Sequence, residues 1–380
     1  MSRSVAIIGT RGYPSYYGGF ETAVRKIAPY LAEQGWDVTV YGRDGSTRPD
    51  DPEIDRRVRT VVTPGIESKS LSTLSYGLMA TLHAFWKKPD VAIVMNVANG
   101  FWLPLLRLRG IPTLVNVDGI EWDRAKWGRV AKVMFRAGAK MTAWWGDRLV
   151  FDARAIGQRW RDEFGRDGDF IPYGGDAPVA REVEAPLVHR EYALMVARFV
   201  PENTVSEFLD AARIIAETHD VVIVGSTGYG GPLDEQARQL GESSSRVHWL
   251  GHVSDDGRLY ALWAHAGAYF HGHSVGGTNP ALVQAMSCAA PTVARDTVYN
   301  REVLGETGLF VAPTTEAIVE GVQNLLSNPV LQDRLSRSAF ERGRAEYSWE
   351  SICASYERSA LETIDASRKR DRTSSRRQHL

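Results

Sequence analysis

The 380-residue chain has very little cysteine, only Cys288 and Cys353, and both fall in apolar helical patterns. That excludes a disulfide framework and leads to the expectation of a reducing, cytosolic compartment. No run of 18 apolar residues occurs, so no transmembrane helix is expected. The chain enters a strand pattern at Val5-Ala6-Ile7-Ile8 without the apolar core of a signal peptide. Net charge is −1, so no global basic field points to nucleic acid. The fingerprint G-x-G-x-x-G is absent, and the second strand pattern ends in Gly42-Arg43 rather than in an acidic residue. Nicotinamide binding is therefore disfavoured, with Arg43 leaving only a narrow opening for NADP.

What the chain does have is enough length for two cores, with 43% hydrophobic and 24% charged residues. Val5–Ile8 reads as a strand buried on both faces, and a helix over Glu21–Leu31 and a strand over Asp37–Tyr41 complete a βαβ unit. Its ligand-facing end is the segment from Gly9 to Gly19. Further strands are expected at Arg59–Val62, Val91–Met95 and Thr113–Val117, with a helix over Leu71–Trp86. The last of these strands runs into Asp118-Gly119-Ile120-Glu121, which places Asp118 and Glu121 at the same mouth as Gly18 and Gly19. A lone Asp there also suits a turn. Leu149–Gly157 and Gln158–Phe164 read as a helix and a connection. Residues 177–190, polar with two prolines, read as a linker. A second βα series follows from Tyr192 to Leu326, and a helical region covers Val330–Ala366. The basic tail carries no apolar pattern and is expected to be disordered.

The most informative stretch is His271–Arg295, HGHSVGGTNPALVQAMSCAAPTVAR. A strand pattern ends at Phe270. The pair Gly276-Gly277 follows, then Thr278 and Asn279 as cap candidates, Pro280 in the first helical turn, and a short apolar helix. Such a turn presents backbone N–H groups and a helix dipole to one place and suits a phosphate or diphosphate. It also suits a tight βα turn with no ligand.

Between Asp123 and Asp147 the chain carries Arg124, Lys126, Arg129, Lys132, Arg136 and Lys140, three tryptophans and no acid. A basic amphipathic helix of this kind fits either an anionic membrane surface or an ordinary solvated face. Asp167-Gly168-Asp169 has the D-x-D form of a cation site but sits in a polar turn. His271-Gly272-His273 lacks a third ligand by spacing. No metal and no cofactor are expected.

The segments RGYPSYYGGFETAVRKIAPYLAEQGWDVTVY, VARFVPEN and HGHSVGGTNPALVQAMSCAAPTVA, in this order, resemble family-4 glycosyltransferases of the GT-B fold. DGIEWDRAKWG and the TRGYP…YGGFET opening are closest to the rhamnosyltransferase-like branch. The likeness extends to about Tyr356. It implies two doubly wound α/β domains facing a cleft: 1–176 on the acceptor side, a linker 177–190, a nucleotide-sugar domain 191–349, a helix 350–366 packing back towards the first domain, and the tail 367–380. It also implies a hexosyltransferase that retains anomeric configuration, and the weak metal readings above make it a metal-independent one. The donor would be a nucleotide-sugar, dTDP-rhamnose on the branch likeness, and itself a substrate.

By motif position, Arg198 corresponds to the arginine that binds the donor diphosphate, and Asn203 stands where the family has a lysine. Gly276 and Gln284 stand where the family has two glutamates. These departures remove both carboxylates from the sugar and the ribose, and a degenerate enzyme is the alternative they imply. Gly18, Gly19, Gly276, Gly277, Thr278 and Asn279 complete the expected diphosphate site, with Gln284 and His252 for the nucleoside. Asp118 and Glu121 are the catalytic candidates. The expected partners are the donor, a lipid-linked or polysaccharide acceptor, and an anionic membrane surface met through Arg129, Lys132, Arg136 and Lys140, on the inner face of the plasma membrane. A nucleotide-sugar epimerase or hydrolase and a non-catalytic binding protein are the other readings.

Overall fold

The continuous apolar runs become parallel strands buried on both faces. The structure, a computed structural model, describes residues 2–16, 18–47, 50–67, 72–124, 127–177 and 181–377, with side chains through residue 370. Two compact units are present, Met1–Pro172 with Glu350–Leu380, and Tyr173–Trp349.

The first unit holds β1 (Ser4–Ile8), β2 (Asp37–Gly42), β3 (Val58–Val62), β4 (Val91–Met95), β5 (Thr113–Asn116), β6 (Arg148–Phe151) and β7 (Asp169–Phe170). They form one parallel sheet in the order β3-β2-β1-β4-β5-β6-β7. Its helices are α1 (Gly19–Glu33), α2 (Ser72–Lys87), α3 (Leu103–Leu108), α4 (Arg129–Trp145) and α5 (Arg154–Phe164). α1 forms where predicted because Ala23, Val24, Ile27, Ala28 and Leu31 recur at helical spacing, and all five are buried against the sheet.

The second unit holds β8 (Tyr192–Val196), β9 (Asp220–Val224), β10 (Val247–Gly251), β11 (Ala268–His271), β12 (Thr292–Arg295) and β13 (Gly308–Val311), again all parallel, in the order β10-β9-β8-β11-β12-β13. Its helices are α6 (Val205–Ile215), α7 (Pro232–Ser243), α8 (Asp256–His265), α9 (Pro280–Ser287), α10 (Val298–Leu304), α11 (Thr315–Leu326) and α12 (Pro329–Glu346). Phe208 stacks on Phe270 at 5.1 Å on one face of this sheet, while Tyr192, Trp263 and Tyr269 fill the other. Each such ring contributes roughly 1.5–3 kcal/mol by burial. Both cysteines are buried, and neither is in a disulfide.

α13 (Trp349–Arg377) returns the chain to the first unit. There the Tyr356 hydroxyl accepts from Asn116 Nδ2 at 2.6 Å, Trp36 Nε1 donates to Glu357 at 2.9 Å, and Ser359 donates to Asp169 at 2.6 Å.

Several expectations need correction. The expected helix over Leu149–Gly157 is a strand, β6, followed by α5; four apolar-rich residues before a helix have no periodicity that separates strand from helix. The expected disordered tail is helical as far as Arg377, and 378–380 lie outside the described residues. The expected linker lies within the second unit as far as it is described: Val183 and Leu187 pack on its core, and Arg181 pairs with Asp255 at 2.9 Å. Its residues 178–180 are outside the described residues. α3 and α10 have no counterpart in the sequence reading, being only 6 and 7 residues long.

Candidate functional site

In each sheet the strand order reverses once, between β1 and β4 and between β8 and β11. Loops leaving the carboxyl ends of two such strands diverge and open a crevice, where ligands bind in doubly wound folds. Gly18 and Gly19 follow β1, and Arg198, Asn203 and residues 276–279 follow β8 and β11; Asp118 and Glu121 follow β5, the strand beyond β4.

On the second unit, β8 and β11 are hydrogen-bonded neighbours, so the loops after them start side by side. The first carries Arg198 and a 3-10 turn, Pro201–Asn203. The second is 272–279. Polar contacts lace them together. Asn203 Nδ2 donates to the Arg198 carbonyl at 2.8 Å, and Asn203 Oδ1 meets His273 Nδ1 at 2.6 Å. Thr204 Oγ1 donates to the Gly272 carbonyl at 2.7 Å, and both the amide and hydroxyl of Ser274 donate to the Glu202 carbonyl at 2.9 Å. Asn300 Nδ2 donates to the His273 carbonyl at 2.9 Å, and Arg295 donates to Thr204 Oγ1 at 3.0 Å. Gly272 has to be glycine: a Cβ there would lie 2.3 Å from the Asn203 carbonyl oxygen.

Gly276 takes φ +84°, in the left-handed region that favours glycine. Asn279 caps α9 by accepting from the Ala281 amide at 2.9 Å, and Pro280 takes the first helical position. Gly276, Gly277 and Thr278 are buried. Neither glycine of the pair spends its backbone amide on another described residue. Arg198 is exposed, and its guanidinium has no ion pair or hydrogen bond among the described residues. A cation and a helix N-terminus thus sit on adjoining loops with their donors unspent, an arrangement that attracts a polyanion.

Two expected ligand contacts are committed elsewhere. Asn203 is buried and uses both ends of its carboxamide within the loops, so it braces Arg198 instead of facing a diphosphate. Gln284 is also buried; its Oε1 accepts from the Asp176 amide at 2.8 Å and its Nε2 donates to the Asp176 carbonyl at 3.0 Å. It clamps a chain segment 108 residues away and has no spare group for a ribose. His252 is exposed just after the edge strand β10. His271, at the end of β11, was not assigned a ligand role. It is buried, meets the Tyr269 hydroxyl at 3.0 Å through Nδ1, and its Nε2 has no partner among the described residues. Burial and then His273 push its pKa down to about 3, so it stays neutral.

On the first unit, Gly18 is the N-cap of α1 in extended backbone, with Gly19 at the first helical position. Asp118 follows β5 with φ +60°, and its amide donates to Asn116 Oδ1 at 2.9 Å. Asp tolerates the left-handed region better than most residues, and strain of this type collects at functional sites. Glu121 is buried, paired with Arg124 at 2.8 Å and accepting from the Trp127 indole at 2.6 Å. Its charge is neutralised in place, which suits positioning more than proton transfer.

Among the described residues no group of three His, Cys, Asp or Glu is placed to hold a metal ion. Asp169 is bound by Arg148 at 2.5 Å, and Asp167 by Arg161 at 2.7 Å, so the D-x-D carboxylates face separate arginines. On α4, Arg129, Arg136 and Lys140 are exposed beside Val130, Val133 and Trp144, which are 84%, 70% and 68% exposed. Lys132 is half-buried, Arg136 also meets Glu163 at 3.3 Å, and Lys126 lies outside the described residues. No described helix is long and apolar enough to cross a membrane.

Residues 18–174 match the family described as Glycosyl transferase 4-like domain, and residues 178–342 match Glycosyl transferases group 1. Over 191 residues the chain is 28% identical to O-antigen chain mannosyltransferase B of Escherichia coli, covering 48% of this chain and 49% of that protein. Over 236 residues it is 32% identical to a phosphatidyl-myo-inositol mannosyltransferase of Mycobacterium leprae (strain TN), covering 59% and 62%. The matched regions thus span only about half to three-fifths of these relatives. Sucrose-phosphate synthase from Thermosynechococcus elongatus has the same fold, with a TM-score of 0.78 at 20% identity over 96% of this chain and 100% of that one. Anabaena Alr3699/HepE in complex with UDP-glucose does so with a TM-score of 0.73 at 14% identity over 96% and 100%. Two successive segments of the chain thus match glycosyltransferase domain families, and its fold is that of the GT-B glycosyltransferases.

Proposed function

We propose that the protein is a retaining glycosyltransferase that moves a sugar from a nucleotide-sugar to a lipid-linked or polysaccharide acceptor in cell-surface glycan synthesis. The observation that carries this reading is Arg198, without a side-chain partner among the described residues, on the loop adjoining the one that holds the unspent amides of Gly276 and Gly277. A nucleoside diphosphate is a good leaving group. What the protein must supply is charge neutralisation as it departs and placement of the acceptor hydroxyl. Arg198 forks two phosphate oxygens, the glycine pair offers N–H donors, and Asp118 orients the acceptor. With these donors no metal is required.

Rhamnose is the proposed sugar, on the likeness of the opening segment and of DGIEWDRAKWG. Both relatives reported above are named mannosyltransferases, which makes mannose the sugar to test beside it. The bound UDP-glucose of the Anabaena protein supports a nucleotide-sugar as the ligand class. The protein works in the cytoplasm at the inner face of the plasma membrane, docking through α4, whose exposed cations and Trp144 share one side.

A second reading, a non-catalytic nucleotide-sugar binder, draws on Gly276 having no side chain and on Gln284 being clamped to Asp176. Isothermal titration with UDP, dTDP and GDP tests the shared premise. Saturable binding of one of them supports both readings, and absence of binding for all three removes both. Turnover with an acceptor then separates the two.

A further inference from the structure

Arg43 follows β2 directly and is only 8% exposed. Its guanidinium lies over the Tyr76 ring at 4.9 Å, and its buried Nε has no hydrogen-bond partner among the described residues. Among the described residues no carboxylate forms an ion pair with it. Its own amide donates to the Arg11 carbonyl at 2.8 Å, which brings a second arginine close. Burial, then Arg11, lower its pKa, while Glu67, Tyr76 and Glu21 act in the opposite direction without offsetting them. A buried guanidinium held in no ion pair among the described residues is costly, and an anion supplied to it would offset that cost.

The surroundings suit one kind of ligand. A crevice beside Arg43 is lined by Gly9, Thr10, Gly42 and Thr63, at the carboxyl ends of β1, β2 and β3, and by Tyr76 and Gly77 of α2. Its free space is about 10 Å³, room for one oxygen atom and not for a sugar ring. Two threonines, the Tyr76 ring and the Arg43 side chain thus line an oxygen-sized opening.

We propose that Arg43 is the anion anchor of the acceptor side, receiving a phosphate oxygen of a lipid-linked acceptor in the first unit. This rests on the glycosyltransferase reading above and adds to it the chemical class of the acceptor, a phosphate or diphosphate ester.

The test is equilibrium binding of three probes to the full chain: a short-chain prenyl diphosphate, the corresponding prenyl alcohol and inorganic pyrophosphate. It is run in the wild-type and Arg198→Ala backgrounds so that the donor-side cation is accounted for. Arg43→Gln is expected to weaken prenyl diphosphate binding by about tenfold or more in both backgrounds. It should leave UDP, dTDP and GDP affinities within about threefold and leave the unliganded Tm unchanged or higher, because a buried unpaired charge has been removed. Unchanged prenyl diphosphate binding overturns the proposal. So does an equal loss of nucleotide binding, which would move the anion to the donor. Pyrophosphate binding as tightly as the prenyl diphosphate would show a general phosphate site and overturn the acceptor assignment. If Arg43→Gln does not fold, Arg43→Lys keeps the charge but loses the fork and the stacking, and a several-fold weakening is expected of it; no weakening overturns the proposal. Intact Arg43-dependent binding with no sugar transfer from any donor would sink the glycosyltransferase reading and leave the anchor standing.

Discussion

Nδ1 of His273 lies 2.6 Å from Oδ1 of Asn203, and the other end of the same carboxamide holds the Arg198 carbonyl at 2.8 Å. The loop that follows β8 and the loop that opens α9 therefore form one polar lattice, with Arg198 at its rim. A cation held in this way loses less freedom when it closes on a diphosphate.

Arg198→Ala should leave the fold intact, because its side chain is exposed and supports nothing else. Nucleoside diphosphate binding should weaken by roughly 1.5–3 kcal/mol, the range of a charged hydrogen bond. Isothermal titration checks this, and unchanged affinity in a folded variant would take Arg198 out of the site.

Gly272→Ala drives a methyl group to 2.3 Å from the Asn203 carbonyl, where backbone rather than a flexible side chain must yield. Overpacking of this kind costs about 1–3 kcal/mol. We expect a lower Tm together with weaker nucleotide binding, since both loops shift. A variant that melts and binds like wild type would show that the two loops are not coupled.

His271 makes stability depend on pH. In the folded protein burial and His273 hold its pKa down to about 3, against 6.5 when unfolded. Between these values the unfolded chain binds a proton that the native chain refuses, so stability rises with pH there. The contribution is complete above 6.5 and declines as pH falls below it, by at most about 1.4 kcal/mol per pH unit. Urea midpoints measured from pH 7 to pH 5 should fall less in His271→Phe than in wild type. Parallel pH profiles would rule out a buried neutral His271 as the source.

The repeating frame was readable because buried parallel strands are short apolar runs between helices of 3.6 period, as with Val91–Met95 and α1. The run Arg148–Phe151 lacked that contrast, since it leads almost directly into α5. Helix α13 continues through residues with no apolar stripe, so periodicity could not mark its end. At the candidate site, Gly276, Gly277 and the Asn279 cap announced themselves through local chemistry. The partners of Asn203 and Gln284 did not, because His273 and Asp176 lie 70 and 108 residues away. An amide in a motif position looks free until the fold shows what it already holds. Arg295 and Asn300, which complete the lattice, gave no local sign, and α10, which carries Asn300, was too short to detect.

Docking through α4 predicts that Arg129, Lys132, Arg136 and Lys140 changed together to Glu abolish co-sedimentation with anionic liposomes at low salt. Each basic residue near such a surface is worth on the order of 1 kcal/mol. Transfer to a short water-soluble acceptor should survive. Equal sedimentation of variant and wild type would leave the face merely solvated.

The central claim is sugar transfer from a nucleotide donor by Arg198 and the α9 turn without a metal. Its most direct measurement incubates the purified full chain in excess EDTA with dTDP-, UDP- and GDP-sugars and a polyprenyl-diphosphate-linked sugar, then reads the product mass and its anomeric configuration by NMR. The account predicts one glycosylated product with the donor's configuration retained, and its loss in Arg198→Ala. Inversion, transfer that appears only when manganese or magnesium is restored, or nucleotide binding without transfer from any donor would contradict it.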